Sequence, residues 1–263
     1  MKSEQRKLSS HALKVIATIA MTIDHIADLL PSMPFFLRMI GRISAPLFIF
    51  TLAYSFQNTT SRKQFLLRIY LASVVMELTK ILVFSFDTKS KGIVQNNIFG
   101  TLFLAVLIAY CLELLSIYYQ SENYLMMFSY LAVLIIIIVW SFVSLNLPET
   151  VLWFIKAVAP SITTTEGGVS WVILGAGLCL FAVKRRSVII FYSCYCLLEL
   201  IGTILFAGIH TLFYNIQWMM IFALPLMLMY NGNKGKSRKW FFYIYYPVHI
   251  WVIYGISVMF RQR

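Results

Sequence analysis

Charged residues are scarce in this chain. Only 12% of its 263 residues are Asp, Glu, Lys or Arg, whereas 60% are hydrophobic and the mean hydropathy is +0.79. A soluble chain carries about 25% charged residues. Because a folded surface in water needs polar cover, this deficit excludes a soluble globular protein. The composition predicts an all-α, polytopic transmembrane helix bundle.

Cysteine and acidic residues are also few. The four cysteines fall within apolar runs and have no metal-ligand spacing, so we expect packing thiols and no metal site. The chain has ten acidic and 22 basic residues, which gives a net charge of +12. The basic residues lie mostly in short stretches between apolar runs, which favours membrane topology and contact with lipid headgroups. We therefore expect membrane lipids and no nucleic acid as partners.

The apolar runs divide the chain into regular segments. A helix needs about 20 apolar residues to cross a bilayer, and the runs predict nine spans, with nine to ten as the range. They form a single integral membrane domain, 1–263, without a soluble part. The short stretch at 147–160 is a re-entrant or interfacial segment, or a tenth span. The nine spans lie near 12–30, 35–56, 65–86, 98–118, 124–145, 168–183, 187–209, 212–230 and 240–260.

Positive charge favours nine spans over ten. With nine spans and a cytoplasmic N-terminus in the cell membrane, four basic groups fall inside, and only Lys89, Lys91, Lys156, Arg261 and Arg263 fall outside, in agreement with the positive-inside rule. A tenth span at 147–160 would move the basic loop at 184–186 outside. The four groups are Lys2/Arg6/Lys7, Arg62/Lys63, Lys184/Arg185/Arg186 and Lys234/Lys236/Arg238/Lys239.

The first predicted span carries three ionisable residues in its outer half: Asp24, His25 and Asp28. Each charge there is costly unless it is paired or hydrated, so such residues are functional candidates. A histidine beside carboxylates has the chemistry of a general base, with a carboxylate fixing its tautomer. The sequence leaves open whether Asp24, Asp28 or a residue of another helix supports His25. The alternative is a hydrogen-bonded network that only joins helices.

Other charges extend this candidate site. Lys14 precedes His25 by eleven residues, about 16 Å along a helix and on nearly the same face, although a snorkelling lysine at the membrane boundary is the better explanation of Lys14 taken alone. Arg38 and Arg42 share one face of the second span and would lie at the depth of Asp24 if the first two spans form a hairpin. Ion pairing is expected there and does not exclude function.

The last span follows a basic loop with glycines. Lys234, Lys236, Arg238 and Lys239 suit a phosphate or a lipid headgroup, and a topology signal is the alternative. Pro247 interrupts the helix and His249 follows near the bilayer centre, with Tyr243 and Tyr246 nearby. In the third span, Glu77 and Lys80 are expected to pair with each other. Glu199 needs a partner from another helix.

At these residues the chain resembles the TraX family, named for an acetyltransferase that modifies the N-terminus of a conjugative pilin. The matching segments cover both ends of the chain. They are LKVIATIAMTIDHIA (13–27), RMIGRISAPLFIF (38–50), SRKQFLLRIYLAS (61–73), NNIFGTLFL (96–104), QWMMIFALPLMLMYNGNKG (217–235) and KWFFYIYYPVHIWVIY (239–254). Wider membrane acyltransferases similarly place a histidine at the outer end of an early helix.

The resemblance implies an acetyl-CoA-dependent acyltransferase without a metal. Asp24, His25, Asp28, Arg42 and His249 would be catalytic, with His25 as the base and His249 or Arg42 polarising the thioester. The acceptor would be a peptide or pilin N-terminus, or a cell-surface glycan, and an oligomer is compatible with it. Acetyl-CoA would be bound by Lys14, Arg38, Lys234, Lys236, Arg238, Lys239 and Tyr246, with Arg62 and Lys63 as further phosphate contacts.

Two other functions stay open. A small proton-coupled transporter or channel would use Asp24, His25, Glu199 and His249 as a relay. The sequence shows no internal repeat, which counts against a transporter built from repeated halves. The other is a non-catalytic membrane scaffold, which does not explain the clustering of His25, Arg42 and His249.

Overall fold

The computed structural model describes residues 7–86, 97–236 and 239–261, and these are almost entirely helical. Their only β-type contact is an isolated parallel bridge between Leu8 and Tyr230. The all-α fold class is therefore confirmed. The helices are α1 (Ser10–Leu29), α2 (Phe36–Gly41), α3 (Ser44–Gln57), α4 (Arg62–Phe86), α5 (Ile98–Gln120), α6 (Tyr124–Val143), α7 (Glu149–Val158), α8 (Gly168–Phe181), α9 (Arg185–Ala207), α10 (Ala223–Leu228) and α11 (Lys239–Arg261).

Local sequence signals set several of these boundaries. The Ser9 hydroxyl accepts a hydrogen bond from the backbone N–H of Ala12 and caps α1, while Pro31 follows its last turn. The side chains of Asn97 and Asn123 cap α5 and α6 in the same way. Gly208 takes a positive φ of 86° directly after α9, a backbone conformation that few other residues adopt.

Among the described residues, five helical segments are long and apolar enough to cross a membrane: Phe36–Gln57, Ile98–Gln120, Tyr124–Asn146, Arg185–Ala207 and Trp240–Phe260. α1 and α4 are of similar length but carry more charge, and α8 is shorter. Each of the nine predicted spans thus overlaps a helical segment of the structure. α7 has ten residues, about 15 Å, which is too short to cross the bilayer and suits the re-entrant or interfacial alternative.

Two predicted spans differ from regular helices. The second is interrupted at Arg42 and Ile43, between α2 and α3. The span predicted at 212–230 was wrong in its bounds and regularity, because a 3-10 helix at Gln217–Phe222 leads into the six residues of α10. Pro225 has no backbone N–H to donate, so the α-helical bond to the carbonyl of Ile221 cannot form there.

The described residues form two compact units. The first unit comprises Met1–Thr51 and Lys184–Arg263, and the second comprises Leu52–Val183, so the boundary falls within α3. In the second unit, α5 packs against α4, α6 and α8, and α4 packs against α7. The prediction of a single membrane domain stays a prediction.

Contacts within the first unit give the directions of its helices. α1 and α2–α3 are antiparallel, since Asp28 lies opposite Arg38 and the Ser44 hydroxyl donates to the carbonyl of Ala17. α1 and α11 run in the same direction, since Lys14 lies over Phe242 and His25 meets His249.

Candidate active site

Two ion pairs join α1 to α2 in the first unit. Arg42 Nη2 donates to both oxygens of Asp24, at 2.9 and 2.8 Å, and Arg38 Nη1 lies 2.6 Å from Asp28 Oδ1. Arg38 Nε is also 3.6 Å from Asp24. The Asp24 side chain is 14% exposed and that of Asp28 is 40% exposed, so the cluster opens towards the α1–α2 turn. The predicted hairpin and its ion pairing are present.

A glycine permits this close packing. A Cβ atom at Gly41 would overlap the side chain of Asp24, so the backbone of α2 lies directly against the carboxylate. Arg42 follows Gly41 in the chain and lies in the break between α2 and α3. Gly41 therefore sets the distance at which Asp24 and Arg42 meet.

Arg42 is held on three sides. Besides Asp24, its Nε donates to the carbonyl of Arg38 at 3.3 Å and its Nη1 donates to Gln217 Oε1 at 3.1 Å. A guanidinium has five N–H groups, and the bond to Gln217 uses only one of the two on Nη1. One N–H of Nη1 therefore remains for a further acceptor. The group is positioned as a cation that can receive negative charge developing on a bound molecule.

The central feature of the site is a pair of histidines from α1 and α11. His25 Nδ1 and His249 Nε2 are joined by a hydrogen bond of 2.8 Å, and the two ring planes differ by 12°. The ring centroids are 5.0 Å apart, which is close to the largest separation that a 2.8 Å bond between ring nitrogens allows, so the rings meet edge to edge in a well-aligned hydrogen bond. Both residues are buried, at 5% and 6% exposure.

Tyr245 supports this pair from one turn below. The backbone carbonyl of Tyr245 lies 2.9 Å from His249 Nδ1, and its ring stacks on the His249 ring with centroids 5.1 Å apart. The Tyr245 hydroxyl is 2.8 Å from the Thr22 hydroxyl, which donates to the carbonyl of Thr18. Tyr246 meets the His249 ring edge-on at 5.7 Å. The ring of His249 is thus fixed by its own helix as well as by α1.

A basic surface forms one end of the first unit. The backbone N–H of His11 donates to the carbonyl of Lys234, and Arg185 Nη2 donates to the carbonyl of Leu228, so the starts of α1 and α9 lie beside the loop that precedes α11. Lys14 is one turn further along α1, with Nζ 5.7 Å from the centre of the Phe242 ring. The exposed residues of this basic end are Lys7, Lys184, Arg185, Arg186, Lys234 and Lys236.

Several predicted site residues come together and others do not. Asp24, His25, Asp28, Arg38, Arg42, Tyr246 and His249 gather around the histidine pair, while Lys14, Lys234 and Lys236 lie at the basic end. Arg238 lies outside the described residues. Lys239 opens α11, and its side chain is outside the described part.

Of the supports that the sequence left open for His25, the structure shows a residue of another helix and neither carboxylate at Nδ1. Asp24 bonds to Arg42, and Asp28 bonds to Arg38, so both carboxylates neutralise arginines. The side chain that hydrogen-bonds to His25 Nδ1 comes from α11, as His249. Sequence reasoning also missed Thr22, Tyr245 and Gln217 as members of the site. Only Tyr245 had a local signal, because it precedes His249 by four residues and so shares its helix face.

Polar groups of the second unit are paired among themselves. Glu77 and Lys80 form the predicted ion pair at 2.7 Å, and Asn97 also donates to Glu77. Arg62, which the resemblance suggested as a phosphate contact, instead donates to Glu113. A hydroxyl cluster fixes the loop after α7, with Ser161 2.6 Å from Ser144 and 2.9 Å from Thr163.

The fold and this site define a class of protein: an all-helical membrane protein with a buried histidine pair and a cluster of partly buried ion pairs in one helical unit. Comparison with known families is more specific. The family model described as "TraX protein" matches residues 9–144 and 117–257, and the chain belongs to the TraX family.

One curated relative adds to this. The chain is 28% identical over 251 residues to "Probable fimbrial assembly protein FimC, serogroup H1" from Dichelobacter nodosus, covering 92% of this chain and 93% of that protein. No solved structure matches the chain.

Proposed function

We propose that this protein is a cell-membrane acetyltransferase that moves an acetyl group from cytoplasmic acetyl-CoA to a pilin or fimbrial subunit. Membership of the TraX family and the fimbrial assembly protein among its relatives support the acceptor. The observation that carries the chemistry is a buried histidine pair in the same helical unit as a guanidinium that retains an unused N–H, with His25 next along α1 to the Asp24 that binds this guanidinium. Acyl transfer requires a base and an electrostatic stabiliser.

The basic end of the first unit supports the donor side of this proposal. Lysines and arginines concentrate there, so the positive-inside rule favours the cytoplasmic face for this end, and the N-terminus would then be inside. Lys234 and Lys236 would hold the phosphates of acetyl-CoA, and the path from Lys14 to His25 would span the pantetheine arm. Direct contacts at Lys14, Thr22 and His25 close the seam between α1 and α11. The arm would therefore lie along another face of α1.

The reaction would proceed in two balanced steps. His25 would accept a proton from the acceptor amine or hydroxyl as the acceptor atom attacks the thioester carbonyl carbon. The remaining N–H of Arg42 would stabilise the negative charge on the carbonyl oxygen, and Asp24 would hold that guanidinium in place. The carbon–sulfur bond would then break, and the proton on His25 would pass to the CoA sulfur as it leaves.

Calorimetric titration of CoA into the purified protein tests the donor side directly. We expect saturable binding, and no binding at high micromolar CoA would contradict the proposal. His25→Ala should abolish acetyl transfer to a synthetic peptide with the pilin N-terminal sequence while leaving CoA affinity nearly intact. His210→Ala is a matched control at an exposed histidine of the same unit and should change neither quantity. Loss of CoA binding in His25→Ala would indicate a structural role for His25.

A further inference from the structure

The hydrogen bonds of the histidine pair have a direction that starts at Tyr245. His249 Nδ1 lies 2.9 Å from the backbone carbonyl oxygen of Tyr245. A carbonyl oxygen can only accept a hydrogen bond, so Nδ1 of His249 must carry the hydrogen. In a neutral imidazole the other nitrogen then has a lone pair and no hydrogen. The Nε2 atom of His249 is therefore an acceptor.

This assignment determines the tautomer of the second ring. His249 Nε2 is 2.8 Å from His25 Nδ1, with the rings nearly coplanar. Because His249 Nε2 accepts, His25 Nδ1 donates and carries the hydrogen of the neutral ring. The lone pair of His25 is therefore on Nε2, the nitrogen on the side of the ring away from α11. A proton taken up at Nε2 makes the Nδ1–H bond charge-assisted and so strengthens it.

The neighbouring carboxylates do not compete for this role. Both oxygens of Asp24 accept from Arg42, and Asp28 pairs with Arg38. The stacked ring of Tyr245 and the edge contact of Tyr246 restrict rotation of the His249 ring about its side-chain bonds. His249 thus meets the two requirements for fixing a tautomer, a defined protonation pattern and a fixed orientation.

We propose that His249 is a positioning residue that holds His25 in its Nδ1–H tautomer and so makes His25 Nε2 the base. This inference rests on the proposed acetyl transfer for its purpose, but the tautomer itself can be measured without any substrate. The sequence left either His249 or Arg42 to stabilise the thioester oxygen. With His249 holding His25, that role belongs to Arg42.

The test is nitrogen NMR of protein labelled with ¹⁵N-histidine and reconstituted in lipid nanodiscs. The chain has four histidines, so removing each of the other three in turn assigns the His25 signals. We expect a protonated Nδ1 and an unprotonated Nε2 in His25, coupled across the bond to His249. The opposite tautomer of His25, or an equal mixture of the two, would overturn the proposal.

Two variants at position 249 give a second readout. In His249→Gln, the side-chain carbonyl oxygen can occupy the place of Nε2 and accept from His25, so the tautomer should persist and kcat should stay within about tenfold of the unchanged protein. In His249→Leu no acceptor remains, and kcat should fall about 10³–10⁴-fold with little change in KM, the scale seen when a catalytic histidine loses its orienting partner. His210→Gln and His210→Leu are the matched controls.

The outcomes separate this inference from the proposed function. The expected NMR tautomer without CoA binding or transfer would retain the assignment of the protons and refute the acetyltransferase. If acetyl transfer were lost in His25→Ala but stayed at the level of the unchanged protein in both His249→Gln and His249→Leu, the enzyme would be supported and the positioning role refuted. A shared loss in Gln and Leu with a folded protein would also refute it, because a carbonyl acceptor should rescue.

Discussion

Replacing Asp24 with asparagine removes the negative charge that is paired with the Arg42 guanidinium. The two side chains are 14% and 16% exposed, and the guanidinium donates to both carboxylate oxygens at 2.8–2.9 Å. Asparagine keeps the size of the side chain and one acceptor oxygen but leaves the Arg42 charge without its counterion. Arg38 also loses its longer contact to Asp24, at 3.6 Å, and keeps Asp28.

The expected cost follows from the burial of the pair. Removing one partner of a buried ion pair costs about 3–5 kcal/mol, because the other charge stays buried without compensation. Since both groups keep a little exposure, we expect the lower end, a loss of about 3 kcal/mol in the free energy of unfolding. Removing both charges in Asp24→Asn/Arg42→Gln should cost less than the sum of the single changes, with a coupling of about 2 kcal/mol.

Reversible unfolding in mixed micelles by titration with sodium dodecyl sulfate measures these values. Glu122→Gln is the matched control, because it makes the same change at an exposed residue and should stay within about 0.5 kcal/mol. If Asp24→Asn changed the unfolding free energy no more than this control, or if the two sites were additive, the buried ion pair would be ruled out as a structural element of the α1–α2 hairpin.

Three further predictions follow from other contacts. Gly41→Ala should displace Asp24. The free energy of unfolding should fall by about 1–3 kcal/mol, as at other overpacked sites, and acetyl transfer should fall too. An unchanged thermal transition would contradict the packing seen at Gly41. Lys234→Gln/Lys236→Gln should weaken CoA binding about two- to thirtyfold, since exposed charge pairs contribute about 0.2–1 kcal/mol each. If calorimetry gave the unchanged protein the same affinity for CoA at low and high salt, phosphate contact would be refuted. Ser161→Ala should lower the unfolding free energy by about 0.6–2 kcal/mol, because its hydroxyl neighbours lose a buried partner; no change would mean that the cluster contributes nothing to stability.

Local features of the sequence account for most of the helix positions. Hydropathy and the turn residues between runs predicted the helical segments, because a bilayer requires long apolar helices and allows breaks only near its surfaces or within protein. The α1–α2 hairpin was also predictable, since a short proline-containing turn forces neighbouring helices to be antiparallel. The segment at 212–230 was not, because its composition is apolar whether or not the backbone is regular.

The centre of the site depends on contacts that no local pattern encodes. His25 and His249 are 224 positions apart, and a single sequence gives the residue types but not the pairing of α1 with α11. The sequence identified both histidines as polar groups in apolar helices, for which a partner was required. It could not choose between a carboxylate one turn away and a ring from another helix. Gln217 was missed because an isolated glutamine in an apolar segment is usually a helix contact.

The central claim is that an acetyl group passes from acetyl-CoA to a pilin or fimbrial subunit through the His25 site. Membrane vesicles that contain this protein and its pilin subunit, supplied with acetyl-CoA labelled with ¹³C in the acetyl group, allow a direct measurement by mass spectrometry of the subunit. We predict labelled acetyl on the subunit with the unchanged protein and with His210→Ala, and none with His25→Ala. An unlabelled subunit in every sample, or equal labelling with His25→Ala, would contradict the account.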